Sequence, residues 1–339
     1  MKKIIVPALL FIACLFVNNT SSFGWGVYGH QHITRSAIFA LPKPLVMFFY
    51  THEDFITEEC VVPDLRKYTI NDKAEFPRHY IDLEAYNYTS VKAMPQTQTE
   101  ANLKYSKDTM QQYGILPWYI QDMMEKLTNA FKNKRKTEIL FLAADLSHYI
   151  GDAHMPLHTS INHDGQYTNQ KGIHAFWESQ LPEMFGGKYN LYTGEAHYIS
   201  DVKAASWAII EHSHQLADTL LLTESMLKKS FPEDKIYLKD GGGQVVMNKF
   251  HSPVHSPEYA AKYHELLNGM VENQMRAAIA ATADFWYTAW INAGKPDLTD
   301  LDSKETLDRS EKYYGEDLKE WKQGKAPGLK AENEFPVNR

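Results

Sequence analysis

Ser147-His148-Tyr149-Ile150-Gly151-Asp152-Ala153-His154-Met155-Pro156-Leu157-His158 is followed, after a short polar loop, by Gly172-Ile173-His174-Ala175-Phe176-Trp177-Glu178-Ser179. His148 and Asp152 are four residues apart, and so are His174 and Glu178. Positions i and i+4 share one face of an α-helix, one turn apart, so each pair can aim two metal-binding groups at one point. Phe141 and Ala144 begin the same stripe, so the face is apolar and inward before it turns polar at His148. Pro156 predicts the end of that helix, with His158 just beyond it. Imidazole nitrogens combined with carboxylate oxygens suit zinc better than calcium or magnesium. The stretch therefore predicts inward-facing helices with more than one zinc site in their interior.

Outward from it, other segments repeat the helical period. Ile33, Ala37, Ile38 and Leu41 form a run stopped by Pro42 and Pro44, and Met47–Tyr50 with Phe55 and Ile56 add a short amphipathic piece. Ile120, Met124, Leu127 and Phe131 form a stripe after Pro117, and Trp207, Ile210, His214, Ala217, Leu221 and Glu224 form another. Residues 257–292 read as one long helix, with Ser256 as N-cap, Pro257 at N1, and Gly294 and Pro296 as the stop. Between residues 61 and 86, Pro63 and Pro77 predict loops carrying Asp64 and His79, and Pro95–Glu100 reads as a polar connection. Sustained alternation is scarce, so the expected class is all-α, with long loops. Asp240-Gly-Gly-Gly-Gln244 reads as a flexible loop without a phosphate-cradling pattern. Residues 301–339 are charged and predict a surface helix followed by a frayed tail.

The chain has 339 residues, of which 44% are hydrophobic, enough for a large core in one big domain or two small ones. Lys2 and Lys3 precede the apolar run Ile4–Val17, which is too short to span a bilayer, and Ser22-Phe23-Gly24 is a small-x-small cleavage site. Residues 1–24 thus read as a signal peptide, 25–300 as the catalytic domain and 301–339 as a charged helix and tail. Cleavage would leave Trp25 as the new N-terminus and 33 basic against 42 acidic residues, a net charge near −9. The expected location is secreted or periplasmic. A loose lipobox, Phe11-Ile12-Ala13-Cys14, offers acyl anchoring at Cys14 as the lesser route. Cys60 is the second of two cysteines, so the processed chain has no internal disulfide.

Each candidate has a bland reading. One His–Asp pair at i,i+4 is more often an ordinary buried hydrogen bond, and the chain has 15 histidines. His32, His52, His154, His163, His197, His212, His214, His251, His255 and His264 read as structural or solvated. The combination is what is specific: W-x4-H at Trp25 and His30, then Asp64, then His79-Tyr80, then H-x3-D-x5-H, then H-x3-E. This order resembles the zinc-dependent phospholipase C and S1/P1 nuclease superfamily, from Trp25 to Glu178.

The resemblance implies a helical domain around a cleft with three Zn2+ ions. Asp64, His79, His148 and Asp152 would hold the first, and His158, His174 and Glu178 the second. Trp25, through its amino nitrogen and carbonyl oxygen, and His30 would hold the third, with Asp152 bridging. Asp64 and Asp152 are the implied catalytic residues, Asp64 by orienting or deprotonating the water. The substrate implied is a phosphodiester: a phospholipid head group first, with transient membrane-surface contact, or single-stranded DNA or RNA. A non-catalytic zinc-binding surface protein is the third reading, and no stable protein partner is expected. Glu178 is like the phospholipases, where the nucleases usually place Asp, whereas the Trp25–His30 spacing is like the nucleases. The loop 162–172 is short, without the Gly-Gly-Asn and Asn-Leu-His wording of the nucleases. Arg66, Lys67 and Tyr68 beside Asp64 could supply a basic patch with an aromatic platform for a polyanion.

Overall fold

The computed structural model describes residues 25–248 and 252–329. The expected signal segment, residues 1–24, and His251 lie outside them. Among the described residues there are helices and no strands, only isolated bridges such as Tyr237 with His255. No helix among them is long and apolar enough to cross a membrane. The α-helices are α1 Gly26–Phe39, α2 Leu45–Thr51, α3 Glu53–Glu59, α4 Val62–Tyr68, α5 Gln98–Lys104, α6 Lys107–Tyr113 and α7 Leu116–Lys132. They continue with α8 Lys136–Ala153, α9 Ile173–Ala175, α10 Leu181–Phe185, α11 Val202–Ser230, α12 Pro257–Leu266, α13 Met270–Asn292 and α14 Lys304–Lys322.

Helix α8 is the central element, in contact with α1, α3, α4, α7, α11 and α13. Its buried face carries Ile139, Ala143, Leu146 and Ile150, and then His148 and Asp152. The core around it is aromatic. Trp286 of α13 stacks on Phe49 of α2, with centroids 4.8 Å apart, and donates its indole N–H to Ala143 O of α8. Trp118 of α7 meets Trp207 of α11 edge to face at 5.5 Å. Burying each such ring contributes about 1.5–3 kcal/mol. Against that reserve, a line of buried polar side chains along one face of α8 can be tolerated.

Several expected boundaries shift for identifiable reasons. Asp64 is not on a loop. Pro63 sits in the first turn of α4, where a missing N–H loses nothing, so this proline starts a helix. Pro95–Glu100 is not only a connection, because Thr97 and Glu100 form a capping box that opens α5. The single helix expected over 257–292 is two, α12 and α13, divided where Asn268 and Gly269 both take positive φ, at 49° and 79°. Residues 173–185 are helical throughout, but Phe176–Gln180 is a π-helical turn. Pro182 supplies no N–H for the carbonyl of Glu178, the partner an α-helix would require there.

The charged C-terminal region docks. Trp321 of α14 is buried against Phe39 and Tyr192, and Tyr50 donates its hydroxyl proton to Asp317. Beyond the helix, Leu191 N–H donates to Gly324 O. Residues 330–339 lie outside the described ones.

Candidate metal centre

The nine residues singled out in the sequence are all buried, none more than 4% exposed. Helix α8 brings His148 and Asp152 inward. Asp64 comes from α4, His79 from the end of the turn Phe76–Arg78, and His158 from the turn Pro156–Thr159 just after α8. His174 and Glu178 come from α9 and the π turn, with Nε2 and Oε2 2.9 Å apart. Three sets of donor atoms gather: His30, His148 and Asp152; Asp64, His79 and His148; His158, His174 and Glu178.

Asp152 stands between the first two sets. Its Oδ2 lies 2.9 Å from His79 Nδ1 and 3.3 Å from His148 Nε2, and its Oδ1 lies 3.5 Å from His30 Nε2. Gly151 makes room for that convergence. A Cβ there would come within 3.1 Å of His30 Nδ1 and 3.5 Å of the Trp25 ring. Trp25 in turn donates its indole N–H to Gly151 O at 2.6 Å. The residue between two ligand positions thus seats both Trp25 and His30, a role that only contact geometry reveals.

The hydrogen bonds decide which ring nitrogens are free to bind. His148 donates Nδ1–H to Cys60 O at 2.8 Å, His158 to His79 O at 2.7 Å, and His174 to His163 O at 2.7 Å. A carbonyl only accepts, so each Nδ1 carries the proton and each Nε2 presents a lone pair. The Nε2 atoms of His158 and His174 therefore face each other lone pair to lone pair at 3.1 Å. That arrangement is repulsive unless a cation lies between them. Both ring nitrogens of His30, and Asp152 Oδ1, are buried without a hydrogen bond. Orphaned buried polar atoms cost about 1–3 kcal/mol each, which a cation would relieve. The donor set, imidazole and carboxylate with no thiolate, fits zinc.

Burial lowers the pKa of His30 and of His174 to about 4, and those of His148 and His158 also fall, so all four are neutral imidazoles at pH 7. Burial alone would raise the Asp152 carboxyl, but the charge that His148 and His158 beside it acquire as pH falls holds it well below the ordinary range. Neutral imidazoles around an ionised carboxylate are the protonation states that ligands need.

Around the cleft, Lys67 and Tyr68 differ from Arg66. Arg66 is not available to a substrate: it pairs with Glu75 at 3.1 Å and Asp145 at 2.7 Å. Lys67 is buried with its ammonium 4.6 Å from the Tyr68 ring centre, and its charge is felt by His30, His158 and His174. Tyr68 is half-buried. Its hydroxyl pKa is pushed well up by burial and by the charges of Asp64, Glu178 and Asp152. Two residues missed in the sequence are Glu75, fully buried against His79, and Asp164, whose Oδ1 accepts from the backbone N–H groups of Gly172 and His174. His163, read as structural, places its ring 6.4 Å from that of His174.

Helices that converge buried imidazoles and carboxylates on one cleft define an all-α protein built around a candidate metal centre. The profile of the S1/P1 nuclease family matches residues 25–275, and the chain belongs to that family. The family is one of zinc-dependent phosphodiester hydrolases. Among curated proteins, no significant match is found.

Proposed function

We propose that the chain is an exported phosphodiesterase with three zinc ions that cleaves single-stranded nucleic acid. The observation that carries the nucleic-acid reading is the pair of half-buried tyrosines flanking the metal ligands. Tyr68 follows Asp64 on α4 and Tyr80 follows His79, both half-buried. Aromatic faces beside a cation accept unpaired bases by stacking, about 1–3 kcal/mol per base. Asp82 adds a buried carboxyl whose pKa burial, with Glu84 nearby, raises to about 7.

Asp64, His79, His148 and Asp152 would hold the first ion, His158, His174 and Glu178 the second, and Trp25 and His30 the third. Zinc bound there supplies a water whose pKa is lowered towards about 7 and positive charge opposite the phosphate. Asp64 would orient that water, take its proton as the water oxygen bonds to phosphorus, and return the proton to the oxygen that leaves. The Lys67 ammonium, whose charge reaches His30, His158 and His174, would offset charge growing on the phosphate oxygens as the P–O bond breaks. Asp152, whose two oxygens face different histidines, would serve both the first and the third ion. No side chain need bond to phosphorus.

A phospholipase C-type reading rests on Glu178, which stands where the nucleases usually carry Asp. The deciding experiment offers zinc-loaded protein beginning at Trp25 a single-stranded DNA and phosphatidylcholine vesicles, each with and without chelator. Chelator-sensitive DNA cleavage is expected. Phosphocholine release without DNA cleavage would transfer the assignment to the phospholipases. Bound zinc with neither activity would leave a non-catalytic zinc protein.

A further inference from the structure

Glu75 belongs to none of the three donor sets, yet it is fully buried. Three donors grip its carboxylate: Arg66 Nε at 3.1 Å, Arg78 Nη1 at 2.8 Å, and the Tyr149 hydroxyl. What remains of Oε1 faces His79 Nε2 at 3.4 Å. That is about 0.4 Å beyond a well-formed N–H···O bond. His79 Nε2 is buried and has no hydrogen-bond partner elsewhere. The other ring nitrogen, Nδ1, faces Asp152 at 2.9 Å, His148 at 3.1 Å and Asp64 at 3.7 Å.

His79 is thus reversed relative to its neighbours. His148, His158 and His174 give Nδ1–H to a backbone carbonyl and present Nε2. His79 presents Nδ1, and its Nε2 has only a side-chain carboxylate before it. Left alone, an imidazole in water favours neither posture strongly enough to hold it, so something must fix this one.

We propose that Glu75 is the positioning residue of His79: its Oε1 accepts the Nε2 proton and turns a deprotonated Nδ1 towards the metal. The inference rests on the reading of His79 as a zinc ligand. The surroundings suit the task. Two guanidinium groups balance the buried anion, and the Arg78 guanidinium lies 4.7 Å over the Tyr119 ring, which restrains it. Arg66, two residues beyond Asp64 on α4, also reaches Asp145 of α8, three residues before His148. One ionic cluster therefore ties together the three segments that carry Asp64, His79 and His148. Carboxylates that take the second proton of a ligating histidine fix its orientation and raise its basicity.

The test is a long-range 1H–15N spectrum of the zinc-loaded protein with 15N-labelled histidine, read together with zinc affinity by chelator competition. The expected spectrum contains one imidazole bound through Nδ1 with a slowly exchanging Nε2–H, against the opposite pattern for His148, His158 and His174. In Glu75→Gln that proton should exchange faster, and one zinc should bind about 10–100-fold more weakly. The ion at His158, His174 and Glu178 should keep its affinity, which separates positioning from general loss of structure. Binding of His79 through Nε2, or a Glu75→Gln protein with wild-type zinc affinity, overturns the proposal while leaving the metal site intact. A wild-type protein that binds no zinc overturns both. Should Glu75→Gln fail to fold, the wild-type spectrum decides alone.

Discussion

At the scale of single residues, the centre is governed by which atoms carry protons. Asp152 is the clearest case, because its two oxygens face two different donor sets. Asp152→Asn should remove activity by about 100-fold or more and release zinc, as a direct ligand should exceed the 10–100-fold typical of an outer one. Activity together with zinc content measured on the same sample checks this; full retention of both would remove Asp152 from the set. Protonation gives a second expectation. His30, His154 and His174 have folded pKa values near 4 because they are buried, against 6.5 when free. The unfolded chain therefore takes up protons first as pH falls. Their contribution is complete above about pH 6.5 and is lost as pH drops towards 4, at about 1.4 kcal/mol per group for each unit of separation. Histidine ring titrations by NMR on zinc-depleted protein should find these three rings uncharged down to about pH 5. Rings that titrate near 6.5 would mean that they are not desolvated. Residue identity was the most legible level. Trp25, His30, Asp64, His79, His148, Asp152, His158, His174 and Glu178 could each be singled out as candidates from spacing and resemblance, because the residue types that can hold a metal are few and i,i+4 is a strong constraint. Glu75 and Asp164 could not: Glu75 also stands four residues before His79, but Pro77 between them argues against the helix that would give that spacing meaning.

At the scale of elements, α8 combines structural and chemical roles, and Gly151 is where they meet. Gly151→Ala adds a methyl 3.1 Å from His30 Nδ1 and 3.2 Å from its Cε1. Overpacking of this kind costs about 1–3 kcal/mol and displaces whichever neighbour yields. The prediction is a folded protein with zinc selectively depleted at the Trp25–His30 position and a normal complement at His158, His174 and Glu178. Metal analysis, with far-UV circular dichroism as the folding control, tests it; unchanged stoichiometry would show that His30 does not depend on this space. Element existence followed well from periodicity, as α1, α7, α8 and α11 show. Boundaries followed less well where proline and glycine act by position. Pro63 begins a helix, Pro182 accompanies a π turn, and Asn268–Gly269 divide one long pattern without interrupting its apolar stripe. Periodicity senses which side of a helix is apolar, but it does not register a change of axis when the stripe continues.

Across the whole molecule, cohesion comes from an aromatic core and, on the proposed reading, from metal. Cys60 is a free buried thiol whose pKa burial pushes up to about 12, so it is chemically quiet. With donor sets that repel one another when empty, zinc binding becomes part of the folding free energy. Treatment with a strong chelator should lower the melting temperature by about 10 °C or more, taking about 2–4 °C per kcal/mol for a protein of this size. Calorimetry with and without chelator measures it, and superimposable curves would argue against a multinuclear site. The C-terminal helix was visible as charge and period, but its docking was not. Trp321 and Tyr314 are seven residues apart on α14, and what they meet, Phe39 and Tyr50, lies more than 260 positions away. Contacts at that range leave no trace in a local window.

On the proposed reading, the carbonyls of Cys60, His79 and His163 also bear on metal choice. Because main-chain oxygens set the posture of three imidazoles, no side-chain substitution at the acceptor can undo it, and the ring lone pairs are aimed before any ion arrives. A cavity whose ligands are held by the backbone selects by shape and donor type more than by adjustment. Cobalt or cadmium, which accept the same nitrogen and oxygen donors, should therefore enter without reshaping it. The centre is then open to spectroscopic metals, and differences in turnover among them would report the ion's own chemistry rather than a rearranged protein.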